Sequence, residues 1–287
     1  MAFRKLTDFI QAEVVVGMII DKLNKTMVAR NVVAIRTMRE LGRGSSYKFP
    51  RVGDLTVNQY TGTGIAPENA TSSSETIILD HFPFINFYLE DSDIAESSAL
   101  TTAGAYADEA AYKIANDIDK TIFADVHSGA TTSATLGVTG TPIQINTREK
   151  ALSYIETLAT KMKEANIESD AAIVVPPYIE IYVTTELGTK ASNQGLSGKI
   201  ESGRLGMLYG VEIYSSNNLP AGVLGGLAAG EYGVVGGKRS CFGLVEGTVI
   251  VKDGPSETKP ASFNQYGMVY GDDFLNTSGW FAGVVTK

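Results

Sequence analysis

The stretch that most restricts the fold is Ser46–Asp91, SYKFPRVGDLTVNQYTGTGIAPENATSSSETIILDHFPFINFYLED. Tyr47, Phe49, Leu55, Val57 and Gln59 alternate along its first part, with an interruption at Pro50–Asp54. Ile77, Leu79, Phe87 and Leu89 alternate in part along Thr76–Leu89. A period of two is the mark of a strand. Between these arms lies the polar, Gly- and Ser-rich stretch Thr61–Ser74, so the pattern predicts one long hairpin with an open tip. An arm of about 17 residues extends ~50 Å at roughly 3.3 Å per residue. A compact globule of this length is itself only ~50 Å across. Such a hairpin projects from the body unless a large β-sandwich absorbs it.

The rest of the chain counts against a sandwich. Residues 93–128 carry the longest helical pattern: Ala107, Ala111, Ile114, Ile118 and Ile122 recur every three or four residues. Asp93 or Ser97 can cap its start and Gly129 its end, and alanines at 103, 105, 107, 110, 111 and 115 allow close packing. A disordered-looking connector is expected over Ala130–Thr141. Asn146-Thr147-Arg148-Glu149 has a capping-box pattern opening a second helix with Leu152, Ile155, Ala159 and Met162 inward. Ala171–Val175 reads as a short buried strand, Tyr178–Leu187 as a third helix opened by Pro177, Gly188–Gly206 as a flexible loop and Met207–Ser215 as a strand. Gly-punctuated β structure follows to Trp280–Thr286. Upstream, residues 1–42 read as an arm with a helical stretch through Phe9, Ile10, Val16, Ile19, Ile20, Leu23 and Met27. This is α+β order, without the regular alternation of a doubly wound sheet.

Charge is divided unevenly. Residues 1–51 hold ten basic and four acidic groups, a net +6, and the remainder carries −14 out of a total of −8. The basic residues are dispersed and lack interleaved aromatics, so contact with an acidic neighbour is favoured over nucleic-acid binding. No apolar run approaches the roughly 18 residues that span a membrane, and Asp8, Gln11 and Glu13 interrupt what would be a signal peptide. The expectation is a soluble protein with no membrane partner. A single cysteine, Cys241, leaves no disulfide within the chain and reads as a buried small hydrophobe.

Motifs for chemistry are absent. Gly62-Thr63-Gly64 lacks a third glycine and a following helix, and Gly237-Lys238 is followed by Arg239 where a phosphate loop needs Ser or Thr. The only histidines, His81 and His127, belong to no catalytic signature, and a hydrolase using either is the disfavoured reading from another class. Glu90-Asp91-x-Asp93 and Asp272-Asp273 lack metal-loop spacing and read as solvated or inter-subunit charge. Neither a metal nor a cofactor is expected.

The order of these segments resembles the major capsid protein of tailed bacteriophages, the Hong Kong 97 type. GSSYKFPRVGDLTVNQY resembles that family's lead into its extended loop, AAIVVPPYIEIYV its axial-domain strand and helix, and GRLGMLYGVEIYSSNNLP its later glycine-led loop, strand and polar turn. The resemblance covers nearly the whole chain. It implies an N-terminal arm at 1–42, an extended loop at 43–91, a peripheral domain with its spine helix at 92–141, an axial domain at 142–235 and returning peripheral strands at 236–287. It further implies a non-enzymatic shell subunit that forms hexamers and pentamers around double-stranded DNA bound without sequence specificity. Portal and scaffolding proteins, and a decoration protein, are the further partners, with assembly in the host cytoplasm and residence in the virion. Scaffolding is expected from a separate chain or a segment removed earlier. Some relatives cross-link through a lysine in the extended loop; here none lies between Lys48 and Lys113, so a shell without covalent links is expected. Candidate contacts between subunits are Arg30, Arg36, Phe49, Arg51, Asp54, Leu55, Val57, Tyr60, Ile77 and Leu79, the apolar ones buried only against a neighbour. A shell of the same fold around a cellular, encapsulin-like nanocompartment is the alternative.

Overall fold

In the computed structural model, residues 26–37, 46–52, 72–90, 99–167, 169–194, 204–255 and 261–287 are described. Ala171–Val175 shows how the body is built. All five residues are buried, and they alternate between two apolar cores: Ala172 and Val174 face one, Ala171, Ile173 and Val175 the other. A strand buried on both faces has no polar side to show, which is why it reads as a continuous apolar run.

The strands are β1 (Ala34–Thr37), β2 (Ser46–Val52), β3 (Ser72–Ile78) and β4 (Phe84–Glu90), followed by the long helix α1 (Ala99–Gly129). Then come β5 (Thr131–Thr132), β6 (Ile143–Gln144), α2 (Arg148–Glu164), β7 (Ala171–Val175) and α3 (Pro177–Gln194). The chain closes with β8 (Arg204–Leu208), β9 (Val211–Ser215), β10 (Glu231–Lys238), β11 (Phe242–Pro255), β12 (Ala261–Phe274) and β13 (Trp280–Thr286).

The central sheet runs β5-β13-β10-β7-β9-β8, with β6 also beside β13. α1 covers one face, through Ala107, Ala111, Ile114, Ile118 and Ile122, the face its periodicity marked out. α2 and α3 cover the other through Ile155, Leu158, Met162, Ile179 and Val183. β10 and β13 alternate between the cores like β7: Val235, Trp280 and Ala282 lie on the α1 side, Val234, Phe281 and Val285 on the other. A second sheet, β1-β11-β12-β4, packs beside α1, and β2 and β3 form a separate two-stranded ribbon.

Several expectations are corrected. The extended stretch is not one hairpin: β2 pairs with β3, but β4 leaves it and pairs antiparallel with β12. Ala130–Thr141 is not loose, because β5 pairs with β13 and Leu136 is fully buried beneath the Tyr154 hydroxyl, which donates to its carbonyl at 3.1 Å. The N-cap of α2 is Thr147, whose hydroxyl accepts from the Lys150 N–H at 3.4 Å, one residue later than the capping-box pattern placed it. α3 runs through Gly188 to Gln194. Met207–Ser215 is split by a tight turn at Tyr209 and Gly210, whose φ angles of 54° and 84° are those of a two-residue hairpin turn. The boundary expected at 235–236 falls inside β10, which pairs with both β7 and β13.

Candidate inter-subunit surface

The β2–β3 ribbon is rooted on the body by close contacts. Tyr47 lies opposite Ile77 and Phe49 opposite Glu75. Ile77 is 1 % exposed within its own chain. It lies close over Gly243: an added Cβ there would be 2.6 Å from Ile77 Cδ1 and 3.3 Å from the Phe49 ring, so a larger residue would push Ile77 aside. A Cβ at Gly271 would overlap the Ile78 carbonyl oxygen, so β12 meets the end of β3 backbone to backbone. The Leu79 side chain reaches β11 at Gly247, where an added Cβ would lie 2.9 Å from its Cδ2. The expectation that Ile77 is buried only against a neighbour is therefore wrong. The side chain of the next residue, Ile78, is exposed.

The arm is held by a buried carboxylate. Met27, Val28, Ala29, Val32 and Val33 pack into the α1 core. Asp119 on α1 is 1 % exposed and accepts from the N–H groups of Val28 (2.9 Å) and Ala29 (3.1 Å). Burial pushes its pKa up to about 6, against the lowering effect of those two bonds and of the Asn218 amide. Next to it, Arg30 donates to Glu246 on β11 at 2.5 Å. Burial raises the Glu246 pKa and the Arg30 charge opposes the rise. Arg30 is thus paired within the chain, with its side chain still partly exposed.

The other candidates fall into two groups. Arg36 is exposed, and with Phe49, Glu75, Lys238, Leu275 and Asn276 it lines a groove of about 380 Å³ between the arm and the ribbon. Arg51 is in β2, and Asp54, Leu55, Val57 and Tyr60 lie outside the described residues.

A surface feature absent from the expectations sits between β9 and β10. Val223 and Leu224 are 76 % and 105 % exposed. The turn that presents them is firmly built: the Leu227 N–H donates to Gly222 and the Gly225 N–H to Ala221. Glu231, itself buried, accepts from the N–H groups of Ala228 (2.9 Å) and Gly140 (3.0 Å). The readable signal is an aliphatic pair bracketed by glycines, Gly222-Val-Leu-Gly225. Ile181, Met207 and Tyr209 add exposed apolar surface on α3 and at the β8–β9 turn.

The two histidines sit among different partners. His81 Nε2 lies between Asp80 (3.5 Å) and Asp272 (3.7 Å). His127, whose pKa burial lowers, sits beside Gly233 on β10. Asp272 is buried, which corrects its reading as solvated or inter-subunit charge. Cys241 is buried as expected. Among the described residues, no group of three or more His, Cys, Asp and Glu is placed to hold a metal ion, and no helix is long and apolar enough to cross a membrane.

A ribbon rooted on an acidic α+β body beside a long helix is a distinctive arrangement, and residues 87–286 match the family described as phage capsid protein. The chain belongs to the phage capsid protein family. Its role is that of a structural capsid subunit. Solved structures agree on the Hong Kong 97-type fold. A structure from Mycobacterium phage Che8 is 20 % identical with a TM-score of 0.66, covering 90 % of this chain and 91 % of its own. The capsid of Ralstonia phage GP4 is 15 % identical at 0.63, covering 89 % and 87 %. A virus-like particle from Pyrococcus furiosus is 10 % identical at 0.58, covering 94 % and 98 %. No curated protein matches the sequence.

Proposed function

We propose that copies of this capsid subunit assemble as hexamers and pentamers into an icosahedral head around double-stranded DNA, held by non-covalent contacts. The observation that carries this reading is the β2–β3 ribbon, which among the described strands pairs only with itself. A ribbon rooted at one end gains the rest of its burial from a second copy, and binding to the folded state alone stabilises both partners. Arg36, Phe49, Leu79 and the extended-loop residues Arg51, Asp54, Leu55, Val57 and Tyr60 are the contacts proposed there. Val223 and Leu224 supply a second contact, since a firmly held turn with two aliphatic side chains in water is completed by a neighbour. The −14 carried beyond residue 51 keeps the shell from adhering to DNA phosphates. Portal and scaffolding proteins, and a decoration protein, would join in the host cytoplasm.

Negative-stain imaging and denaturing gels test this. Native particles should be closed shells that contain DNA and run as a single monomer band; a ladder of bands would overturn the non-covalent reading. Leu224→Asp should give a folded subunit that forms few or no particles, and normal particle yield would remove the turn from the interface. Native particles carrying an enzyme in place of DNA would favour the nanocompartment.

A further inference from the structure

The chain passes between its two sheets twice, and both crossings lie at one place. Arg239–Cys241 leads from β10 of the central sheet to β11 of the second, and residues 275–279 lead back from β12 to β13. The N–H groups of Leu275 and Asn276 both donate to the Cys241 carbonyl at 2.9 Å. A Cβ at Gly279 would overlap Cys241 Sγ, so the two crossings touch and form a neck. α1 lies across both sheets on one side. Leu244, Tyr266 and Met268 of the second sheet share its core with Val174, Val235 and Ala282 of the central one. Such apolar packing holds the sheets together but is non-directional.

Directional bonds hold the neck to the central sheet, and they converge on Arg239. Its backbone N–H donates to the Asp170 carbonyl at 3.0 Å, and its Nη1 to the Asp170 carboxylate at 3.1 Å. Its Nη2 donates to Glu212 and, at 3.1 Å, to the Tyr214 hydroxyl, both on β9. The Tyr214 hydroxyl donates in turn to Glu212 at 2.9 Å, and Arg204 on β8 donates to Glu212 at 2.6 Å. Burial works to raise the Glu212 pKa, and the bonds from Tyr214 and Arg239 outweigh it, leaving the group below its ordinary value. A lone exposed ion pair contributes little, but a guanidinium fork that engages two carboxylates within a network is the geometry that counts. One side chain therefore fixes how the neck leaves β10.

We propose that Arg239 is a positioning residue for assembly: it sets the angle between the two sheets, and with it the curvature of the shell. This role depends on the ribbon and the Val223–Leu224 turn being contacts between copies, as proposed above. Those two contacts sit on different sheets. The ribbon is rooted on β11 and β12 of the second sheet. The turn is fixed to β10 of the central sheet, where the Gly222 N–H donates to the Glu231 carbonyl at 2.9 Å. The rotation from one copy to the next follows from the relative orientation of the surfaces each copy presents, and that rotation decides how an assembly closes. A tilt at the neck is repeated in every subunit, so a small change of angle accumulates into a different diameter.

Electron microscopy of particles assembled from the full chain measures this as a spread of diameters. Arg239→Met keeps the stem of the side chain and removes its donors. It should shift the particles from the native diameter to several diameters and open sheets, and the Leu275 and Asn276 amides of the subunit should exchange faster. Arg239→Lys keeps the charge but cannot reach Asp170 and Glu212 together, so its spread should fall between the two. Lys161→Met removes an exposed pair with Glu164 on α2 and should keep the native diameter. Near-ultraviolet circular dichroism from the buried Trp280 reports whether each subunit is folded. Native diameters in Arg239→Met would overturn the proposal. Broader diameters with unchanged exchange at Leu275 and Asn276 would also overturn it, since the effect would then lie outside the neck. Should Arg239→Met not fold, Glu212→Gln replaces it, and a native spread there overturns the proposal. A native chain that forms no shells would remove the contacts themselves, and this role with them.

Discussion

The central sheet and the β2–β3 ribbon are both built from extended chain, yet they are stabilised in opposite ways. β7, β10 and β13 are buried on both faces, their apolar side chains divided between two cores within the chain. The ribbon instead alternates: Tyr47 and Phe49 turn inward while Ser46, Lys48 and Pro50 are exposed. Fully burying a large aliphatic or aromatic side chain contributes about 1.5–3 kcal/mol. The sheet collects that at nearly every position, and the ribbon only at its root. A strand buried on both faces is completed within the subunit; one buried on a single face keeps the other exposed.

Substitutions can sharpen or break this contrast. The largest effect belongs to the body. Trp280→Ala should cost about 3–5 kcal/mol in chemical unfolding of the subunit, because the ring is fully buried among α1-side residues. Next is Arg30→Glu, which sets like charge against the buried Glu246. A loss on the order of 3 kcal/mol is expected, seen in the subunit before any assembly; a wild-type unfolding curve would show that the pair is not formed. Ile77→Ala should cost about 2 kcal/mol and show first as faster proteolysis of the ribbon, with the body still protected. If the body opens equally fast, root and body are one cooperative unit.

A smaller effect depends on pH. Asp119 has its pKa raised to about 6, so its contribution to stability is present in full below about pH 4 and is lost as pH rises through about 6. The stability difference between native chain and Asp119→Asn should therefore shift against the native chain by on the order of 2 kcal/mol across that window. A pH-independent difference would mean that the arm leaves Asp119 exposed in solution. Smallest of all, Ile78→Ser should change subunit stability by less than about 0.5 kcal/mol, since its side chain already meets water.

How far the sequence could be read depended on distance along the chain. The buried face of α1 and the five-residue strand Ala171–Val175 were legible because their periodicity is local. The strand character of Phe84–Glu90 was legible too, but its partner was not: alternation marks a strand without saying what it pairs with, and β12 lies far downstream. Arg30 and Glu246 are 216 residues apart, so nothing near Arg30 marks it as an internal partner. Asp119 left a faint signal, a carboxylate four residues from Ala115 and three from Ile122 on an apolar stripe. Asp272 and Asp273 look alike in sequence, yet only Asp272 turns inward, because alternate residues of a strand face opposite sides.

The sequence by itself determined the elements: extended strands after residue 46, one long helix with an apolar stripe, an acidic body and a basic arm, in the order of a phage capsid subunit. Tertiary structure decided which of their surfaces are already spent. Ile77 is buried against β11 and Arg30 is paired with Glu246 there, while Val223 and Leu224 stand in water on a hydrogen-bonded turn. That division follows from contacts between distant segments, whose free energy depends on a shared three-dimensional packing that no local pattern encodes.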